Sequence, residues 1–231
     1  MLKTILNKYI SGIKGEAYRV DPQIRPGYLL HLMLTRVLMK IRGKMYFPMR
    51  QYAPFIGRYV TLKAKSSFQF GAGLSIGNGV VIDALSTSGI RLGNNVSVGY
   101  ATRIECTGNL RHLGKGLTVG DNVGLGTDCF YGCAGGIRIG DDTIIGNFVS
   151  FHSENHIYAD PTIPIRLQGV THQGIVIGKN CWIGAKTTIL DGTIVGDGCI
   201  IAAGAVLKGG MYNANGIYGG VPAKLLKYRN E

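Results

Sequence analysis

The sequence predicts an all-β protein, a parallel β-helix of hexapeptide repeats with an N-terminal helical cap and a short C-terminal tail. Two observations predict it: an apolar residue followed by glycine recurs every six residues, and the 36 glycines lie mostly inside these repeats. A period of six fits neither a helix face nor an alternating strand, whereas a fixed hexapeptide period is typical of a β-helix. One side chain in six then points to the axis, and the small residue after it lets the backbone turn a corner.

Residues 1–55 are predicted to form the helical capping segment. The stretch from Tyr28 to Arg42 has a helical composition, and Pro26 before it and Gly43 after it suit the two boundaries. Three roles stay open for this helix. It would cover the open end of the solenoid, lie on a membrane surface as an amphipathic helix, or bind a partner protein.

Residues 56–223 contain the repeats, and the spacing of their corner glycines locates two insertions. In chain order, these glycines are Gly57, Gly77, Gly93, Gly120, Gly140, Gly178 and Gly196. Eighteen residues per turn is the base value, and the two largest separations are 27 and 38 residues. The excess predicts insertions near 107–116 and 153–174, which a solenoid ejects as loops on its flank, where binding often occurs. A basic tail, residues 224–231, follows.

The charge of the chain limits the classes of partner. Lys and Arg number 25 against 13 Asp and Glu, so the 231 residues carry a formal net charge of +12. Such an excess favours anionic partners such as phosphate-bearing cofactors, acidic polymers or an anionic membrane face, although a solvated basic surface has the same composition. The basic residues form no known nucleic-acid-binding motif, so no nucleic-acid partner is expected.

Cysteine usage and the N-terminus indicate a cytoplasmic protein. The five cysteines are odd in number and form no CxxC pair, so we expect reduced packing residues. No cysteine pair has zinc-ligand spacing with a histidine, so no metal is expected. The sequence MLKTILNKYISG has no clear cleavage site, and no apolar run reaches the length of a membrane span. Peripheral association with the inner face of the membrane is the alternative location.

The second insertion and the repeats around it resemble the hexapeptide-repeat acyltransferases, in particular the branch with galactoside, maltose, nodulation-factor and polysaccharide O-acetyltransferases. The resemblance covers roughly residues 56–227. Four motifs carry it: Asn155-His156, IGKNCWIGA at 177–185, IAAGA at 201–205 and GVPAK at 220–224. The resemblance implies a left-handed β-helix, an exception to the right-handed preference of crossovers. It also implies acetyl-CoA as co-substrate, a homotrimer with active sites between subunits, and a loop histidine as general base.

His156 matches the family's catalytic histidine. A sugar hydroxyl is a poor nucleophile at neutral pH, and an imidazole can accept its proton as the attack begins. The oxyanion that forms then needs a backbone N–H donor. His152 is the main alternative, although it is expected to point outward as a neighbour, and His112 and His172 are loop residues that would touch the acceptor.

The resemblance assigns the other site residues. Asp128 matches a position that contacts the acceptor hydroxyl, and Glu154 is close enough in sequence to orient His156 or bind the acceptor; for both, a solvated residue is the alternative. The expected cofactor-binding residues are Trp182, Ala185, Ala203, Gly204, Lys208, Lys224 and Lys227. Trp182 would border the acetyl and pantetheine end, the small residues would admit the pantetheine arm, and the lysines would reach the CoA phosphates. The alternative for Trp182 is packing between subunits. For the small residues it is ordinary repeat sequence, and for the lysines it is a solvated side chain.

The sequence thus favours an acetyl-CoA-dependent O-acetyltransferase that acts on a hydroxyl of a sugar or polysaccharide precursor. N-acetylation of an amino sugar or nucleotide-amino sugar is the first alternative. The second is a β-helix assembly that is not an acyltransferase, either structural or similar to carbonic anhydrases. In that case His152 and His156 would supply two metal ligands, and a third at the expected spacing is not evident.

Overall fold

The computed structural model describes residues 3–4, 6–8, 11, 17 and 19–231. The repeats wind into a prism with three faces, and each face is a sheet in which strands of successive coils pair in parallel. The predicted parallel β-helix is therefore confirmed. Part of the predicted 1–55 segment, namely residues 1–2, 5, 9–10, 12–16 and 18, lies outside the described residues, and with it part of the stretch in which no signal peptide is expected.

We number the faces in the order in which one coil visits them. Face 1 contains nine strands: Phe55–Ile56, Ser75–Ile76, Ser97–Val98, Gly124–Leu125, Ile144–Ile145, Trp182–Ile183, Ile200–Ile201, Gly216–Gly219 and Lys224–Tyr228. Face 2 contains seven: Thr61–Lys63, Val81–Asp83, Arg103–Glu105, Phe130–Gly132, Ser150–His152, Thr188–Leu190 and Val206–Leu207. Face 3 contains seven: Phe68–Phe70, Ile90–Leu92, Leu117–Val119, Ile137–Ile139, Ile175–Ile177, Thr193–Val195 and Gly210–Tyr212. All pairs within these faces are parallel except the last pair of face 1, which is an antiparallel hairpin.

The core fills the inside of the prism. Each strand turns an apolar side chain inward, and in register these side chains form stacks along the axis, as with Ile145 on Ile183 in face 1. The largest buried pair is Tyr131 and Phe151 in face 2, whose ring centroids are 4.8 Å apart at 16°. The five cysteines are buried free thiols, which confirms their expected packing role.

Corners 1–2 and 3–1 are compact and nearly identical from coil to coil. Each contains a residue with positive φ, and in corner 3–1 this is usually Asn or Asp, as in Asn122, Asp142 and Asn180, because short polar side chains tolerate that conformation. Aspartates in this corner also accept hydrogen bonds from the preceding coil; Asp197 Oδ1 accepts one of 2.7 Å from the backbone N–H of Lys179. The polar corner residues thus tie successive coils together.

The corner glycines belong to two separate stacks, which corrects the spacing argument from the sequence. A Cβ on Gly77 would lie 3.0 Å from the carbonyl carbon of Gly99 in corner 1–2, whereas one on Gly93 would lie 2.6 Å from that of Gly120 in corner 3–1. The 16-residue separation of Gly77 and Gly93 therefore spans two different corners and not one turn. Both corners need glycine for close approach of coils, so the sequence pattern does not distinguish them.

Both long excursions from the prism leave from corner 2–3. The first lies between Glu105 and Leu117, and the second between His152 and Ile175. The second contains a two-stranded antiparallel pair, Asn155–His156 with Val170–Thr171, and a short 3₁₀ helix, Ile165–Leu167. One more 3₁₀ turn, Lys65–Ser67, lies in the first coil.

The N-terminal helix is Pro26–Tyr46, longer than the predicted stretch. It begins at a proline, whose fixed φ and missing N–H suit the first helical position. Its inner side packs on the first coil: Arg42 Nε donates to Ile56 O at 2.8 Å, and Tyr46 Oη donates to Val60 O at 2.8 Å. Phe47, just after it, packs against Phe68 and Phe70. Within the described part of the chain, no helix combines the length and apolar character needed to cross a bilayer.

Candidate active site

The insertion that carries His156 is a braced loop. Asn155 pairs with Thr171 and His156 with Val170 in the antiparallel pair, and the N–H of Ile157 donates to Gly169 O at 3.0 Å. The backbone around His156 is thereby fixed on both sides of the loop. The His156 side chain is exposed, and it has no hydrogen-bond partner among the described residues, so the ring is available to a substrate.

A second histidine holds the base of this loop. His172 Nε2 and Glu154 Oε2 are 2.7 Å apart, and both side chains are about one-third exposed. The structure therefore brings Glu154 to His172, across the two ends of the insertion, and Glu154 forms no hydrogen bond or ion pair with His156. The sequence separation of 18 residues hides this pair, since only the antiparallel pairing of the loop brings its ends together.

Two further residues, Asp191 and Lys115, attach the loop to its surroundings. Asp191, in the next coil, accepts hydrogen bonds from Thr171 Oγ1 at 3.2 Å and from the N–H of Gly174 at 2.7 Å. Lys115, at the end of the first insertion, donates from Nζ to His172 O at 2.9 Å. The two insertions are thus in contact, and Lys115 and Asp191 are supporting residues that the sequence reasoning missed.

The other histidines near corner 2–3 differ in environment. His152 ends a strand of face 2, and its ring lies 5.6 Å from that of Phe130. Burial against this surface lowers the pKa of His152 below its usual value, although part of the residue remains exposed. His112 is exposed in the first insertion, where it bridges to Asn109. His112 has only an isolated bridge, whereas His156 lies in a strand pair that joins both arms of its loop.

The residues expected to bind the cofactor lie mostly elsewhere, along face 1 and corner 1–2. Trp182 projects from face 1 between Ile144 and Ile200, and 53% of it is exposed. It lines a groove of about 160 Å³ with Asp142 and Arg229. Ligand pockets typically enclose about 300–1,000 Å³, so this groove is too small to hold a coenzyme by itself.

Corner 1–2 continues the surface beside Trp182. The residues Asp128, Ala185, Ala203 and Gly204 all lie in this corner, in successive or nearby coils. The N–H of Gly204 donates to Ala185 O at 2.9 Å, and a Cβ on Gly184 would lie 2.5 Å from Ala203 N. This surface is therefore formed by closely stacked backbone with small side chains, which lets an extended ligand approach the main chain.

The expected lysines divide between the two sides of the prism. Lys224 and Lys227 lie in the last strand of face 1, opposite Gly219 and Ile217, and both are exposed. Lys208 lies at corner 2–3 instead, where its carbonyl accepts a hydrogen bond of 3.1 Å from Tyr212 Oη. Lys208 is thus on the side of the insertions, away from the other two lysines.

Cys181, the cysteine beside Trp182, is not suited to carry an acyl group as a covalent intermediate. Cys181 lines the groove but points into the core, and burial raises its pKa to about 11. The thiolate is the nucleophilic form of cysteine, so Cys181 stays unreactive near neutral pH. Within the residues that the structure describes, there is also no group of three His, Cys, Asp or Glu arranged to hold a metal ion.

The candidate residues thus form two groups on opposite sides of one chain. Corner 2–3 carries His156, Glu154, Lys208 and the other candidate histidines, and face 1 with corner 1–2 carries Asp128 and the remaining residues expected to bind the cofactor. In a three-faced prism, corner 2–3 lies across the axis from face 1. One chain therefore cannot present His156 and Trp182 to the same small ligand.

Comparison with known proteins shows that this chain is similar to acyltransferases in sequence and in fold. A family described as bacterial transferase hexapeptide (six repeats) matches residues 174–209, and one described as hexapeptide repeat of succinyl-transferase matches residues 116–149. A putative lipopolysaccharide biosynthesis O-acetyl transferase, WbbJ of Escherichia coli K12, is 30% identical over 149 residues, which cover 61% of this chain and 72% of WbbJ. A probable acetyltransferase of Mycobacterium tuberculosis is 33% identical over 119 residues, 51% of this chain and 38% of that protein.

Solved structures support the fold. A variant of AntD, an N-acyltransferase from Bacillus cereus, in complex with dTDP-4-amino-4,6-dideoxyglucose and coenzyme A, has a TM-score of 0.59 and 24% identity. The match covers 72% of this chain and 87% of AntD. At that identity the similarity supports the fold alone.

Proposed function

This chain belongs to the hexapeptide-repeat acyltransferase family, and from that premise we propose that it transfers an acetyl group from acetyl-CoA to a hydroxyl of a sugar or polysaccharide precursor. The fold is accordingly the left-handed β-helix of that family. The observation that carries the proposal is His156, an exposed ring without a hydrogen-bond partner among the described residues, held on a loop with a fixed backbone. The name of the WbbJ relative, an O-acetyl transferase, supports the acceptor class.

The proposed reaction needs a base and a donor of hydrogen bonds. His156 takes the proton of the acceptor hydroxyl as its oxygen attacks the thioester carbonyl carbon. The new C–O bond forms, the C–S bond breaks, and His156 passes the proton to the leaving thiolate of CoA. Backbone N–H groups stabilise the oxyanion formed on the way, and the closely stacked backbone around Gly184 and Ala185 supports that role.

The cofactor is proposed to lie along face 1 and corner 1–2, with Trp182 at its acetyl end. Ala185, Ala203 and Gly204 leave room for the pantetheine arm, and Lys224 and Lys227 offer positive charge to the phosphates. Because His156 is on the opposite side of the chain, a complete site needs the insertion of one subunit beside face 1 of its neighbour. The small groove at Trp182 supports the same conclusion, and we propose a homotrimer whose sites lie between subunits.

His156→Ala tests the base directly. We expect transfer from acetyl-CoA, screened against sugars and nucleotide sugars, to fall by about 10²–10⁴-fold because proton removal is lost, while CoA binding measured by calorimetry is kept. His31→Ala is the matched control, since it removes an exposed histidine from the N-terminal helix, which packs on the first coil and belongs to neither insertion. It should keep nearly full activity.

The same assay separates the alternatives. Full activity in His156→Ala would reject the proposed mechanism. A product that survives mild base is an amide and would favour N-acetylation of an amino sugar over O-acetylation. Stoichiometric zinc that activity requires would instead favour an assembly similar to carbonic anhydrases.

A further inference from the structure

The N-terminal helix presents an apolar surface that nothing in the described structure covers. We call it the outer stripe; its members are Leu30, Leu34, Val37, Leu38, Ile41 and Met45. Each is between 47% and 75% exposed. Spacings of three and four residues place them on one side of the helix, and the buried residues Leu29 and Gly43 lie on the other side. The stripe is therefore not the face that packs on the prism.

This end of the molecule is also strongly cationic. Residues 22–82 contain nine Lys and Arg and no Asp or Glu, so they supply +9 of the net charge of +12. By helical geometry, Lys40 and Lys44 flank one edge of the outer stripe and Arg42 flanks the other. An apolar stripe between basic residues is the pattern of a helix that lies in a bilayer interface.

The helix is held in a fixed orientation on the prism. Arg36 Nη1 donates to Ser75 Oγ at 2.8 Å, and its guanidinium and the Lys40 ammonium lie over the Phe55 ring at 5.3 and 5.7 Å. Together with the bond from Arg42 to Ile56 O, these contacts keep the stripe directed away from the first coil. The surface is therefore preformed, and little ordering is required when it docks.

We propose that this end of the protein docks on the surface of an anionic phospholipid bilayer. The outer stripe enters the interface between headgroups and acyl chains, and the flanking lysines meet the lipid phosphates. The positive charge of this surface favours an anionic bilayer over a second copy of the same surface as its partner. A second copy would bring a further nine cations without acidic partners, and like charges at an interface repel. The proposal does not depend on the acetyltransferase activity.

Vesicle co-sedimentation of the full chain tests the proposal. We expect binding to vesicles of phosphatidylcholine with phosphatidylglycerol, weaker binding at high salt because surface charges are screened, and little binding to phosphatidylcholine alone. The double variant Leu34→Gln/Ile41→Gln should bind the anionic vesicles at least about tenfold more weakly than the wild type. Met211→Gln is the matched control, since Met211 is 65% exposed on face 3, away from the helix; it should bind as the wild type does.

A second variant guards against a folding defect in the first. Lys40→Gln/Lys44→Gln leaves the apolar residues in place and should weaken binding about fivefold per lost charge. Its melting temperature should change little, because the hydrogen bonds of Arg36 and Arg42 still hold the helix on the prism. The proposal is overturned if the wild type stays in the supernatant, if both double variants bind like the wild type, or if phosphatidylcholine alone binds equally well. It is also overturned if the stripe variant changes the assembly state in sedimentation velocity and not vesicle binding, because the stripe would then be covered by a second copy.

Discussion

Corner 1–2 and corner 2–3 of the same prism follow opposite rules. In corner 1–2 the coils touch through backbone, so that a Cβ on Gly146 would lie 2.6 Å from Ala185 N. In corner 2–3 the chain departs twice, and at Gly108 a Cβ would meet nothing within 4 Å. This difference shows that the stacking of coils needs only two compact corners. The third is free to vary, and that is where His156 is found.

The largest expected contrast is between two glycine substitutions. Gly146→Ala should lower the free energy of unfolding by about 2–3 kcal/mol, because the added methyl forces neighbouring backbone apart in a packed corner. Gly108→Ala should change it by less than about 0.5 kcal/mol, since the methyl has open space. Urea unfolding of both variants measures the difference. Equal destabilisation would mean that the two corners do not differ in packing.

The next effect concerns the contact between Glu154 and His172. Replacing either residue by alanine should lower kcat/KM about tenfold, because His156 loses the bracing of its loop and small misplacements of a catalytic group are costly. Glu154→Gln, which keeps an acceptor oxygen, should retain more activity than Glu154→Ala. A double-mutant cycle with His172→Ala should show strong coupling, since both changes break one interaction.

The kinetic parameters separate positioning from acceptor binding. If Glu154 touches the acceptor, Glu154→Ala raises the KM for acceptor and His172→Ala does not. If the pair positions the loop, both variants lower kcat alike and leave the melting temperature nearly unchanged. Independent, additive effects would reject the bracing role.

The smallest effect is expected at His152, where the regular face meets the insertion. Burial lowers the pKa of His152, so the unfolded chain takes up a proton there more readily than the folded chain. The free energy of unfolding therefore falls as the pH drops below about 6.5, the ordinary histidine value, and levels off below the lowered value. In His152→Gln this part of the acid sensitivity disappears.

Urea unfolding near pH 7.5 and near pH 5.5 measures this effect, with His112→Gln as the matched control. The control should keep the pH dependence of the wild type. An unchanged pH dependence in His152→Gln would show that burial does not lower the pKa of His152 in the folded chain.

The regular part of the molecule follows from its sequence because each coil repeats the same local requirement. Inward side chains such as Ile183 and Ile189 recur every six residues and are buried as the period predicts. The period alone does not tell which corner a glycine occupies, since Gly77 and Gly93 satisfy the same need for close approach in different stacks. The 16-residue separation of Gly77 and Gly93 is therefore not the length of a coil.

The candidate site is less accessible to sequence reasoning because it depends on long-range pairing. Glu154 is two residues from His156 in the sequence, but in the fold its side chain pairs with that of His172. Likewise, Lys208 and Lys224 are close in the chain but lie at corner 2–3 and on face 1. Proximity along a solenoid says little about proximity across it, since half a coil moves a residue to the opposite side.

The side chains of the N-terminal helix have one more consequence. Every coil but the first receives hydrogen bonds from the coil before it, and Arg42 and Tyr46 supply donors to two carbonyls of that first coil. At the other end, the hairpin strand Lys224–Tyr228 turns back on face 1. A stack of parallel coils without such ends would offer the same strand edges at top and bottom, and copies could join end to end into fibres. The helix and the hairpin therefore close the two ends of the stack of coils and oppose such end-to-end joining.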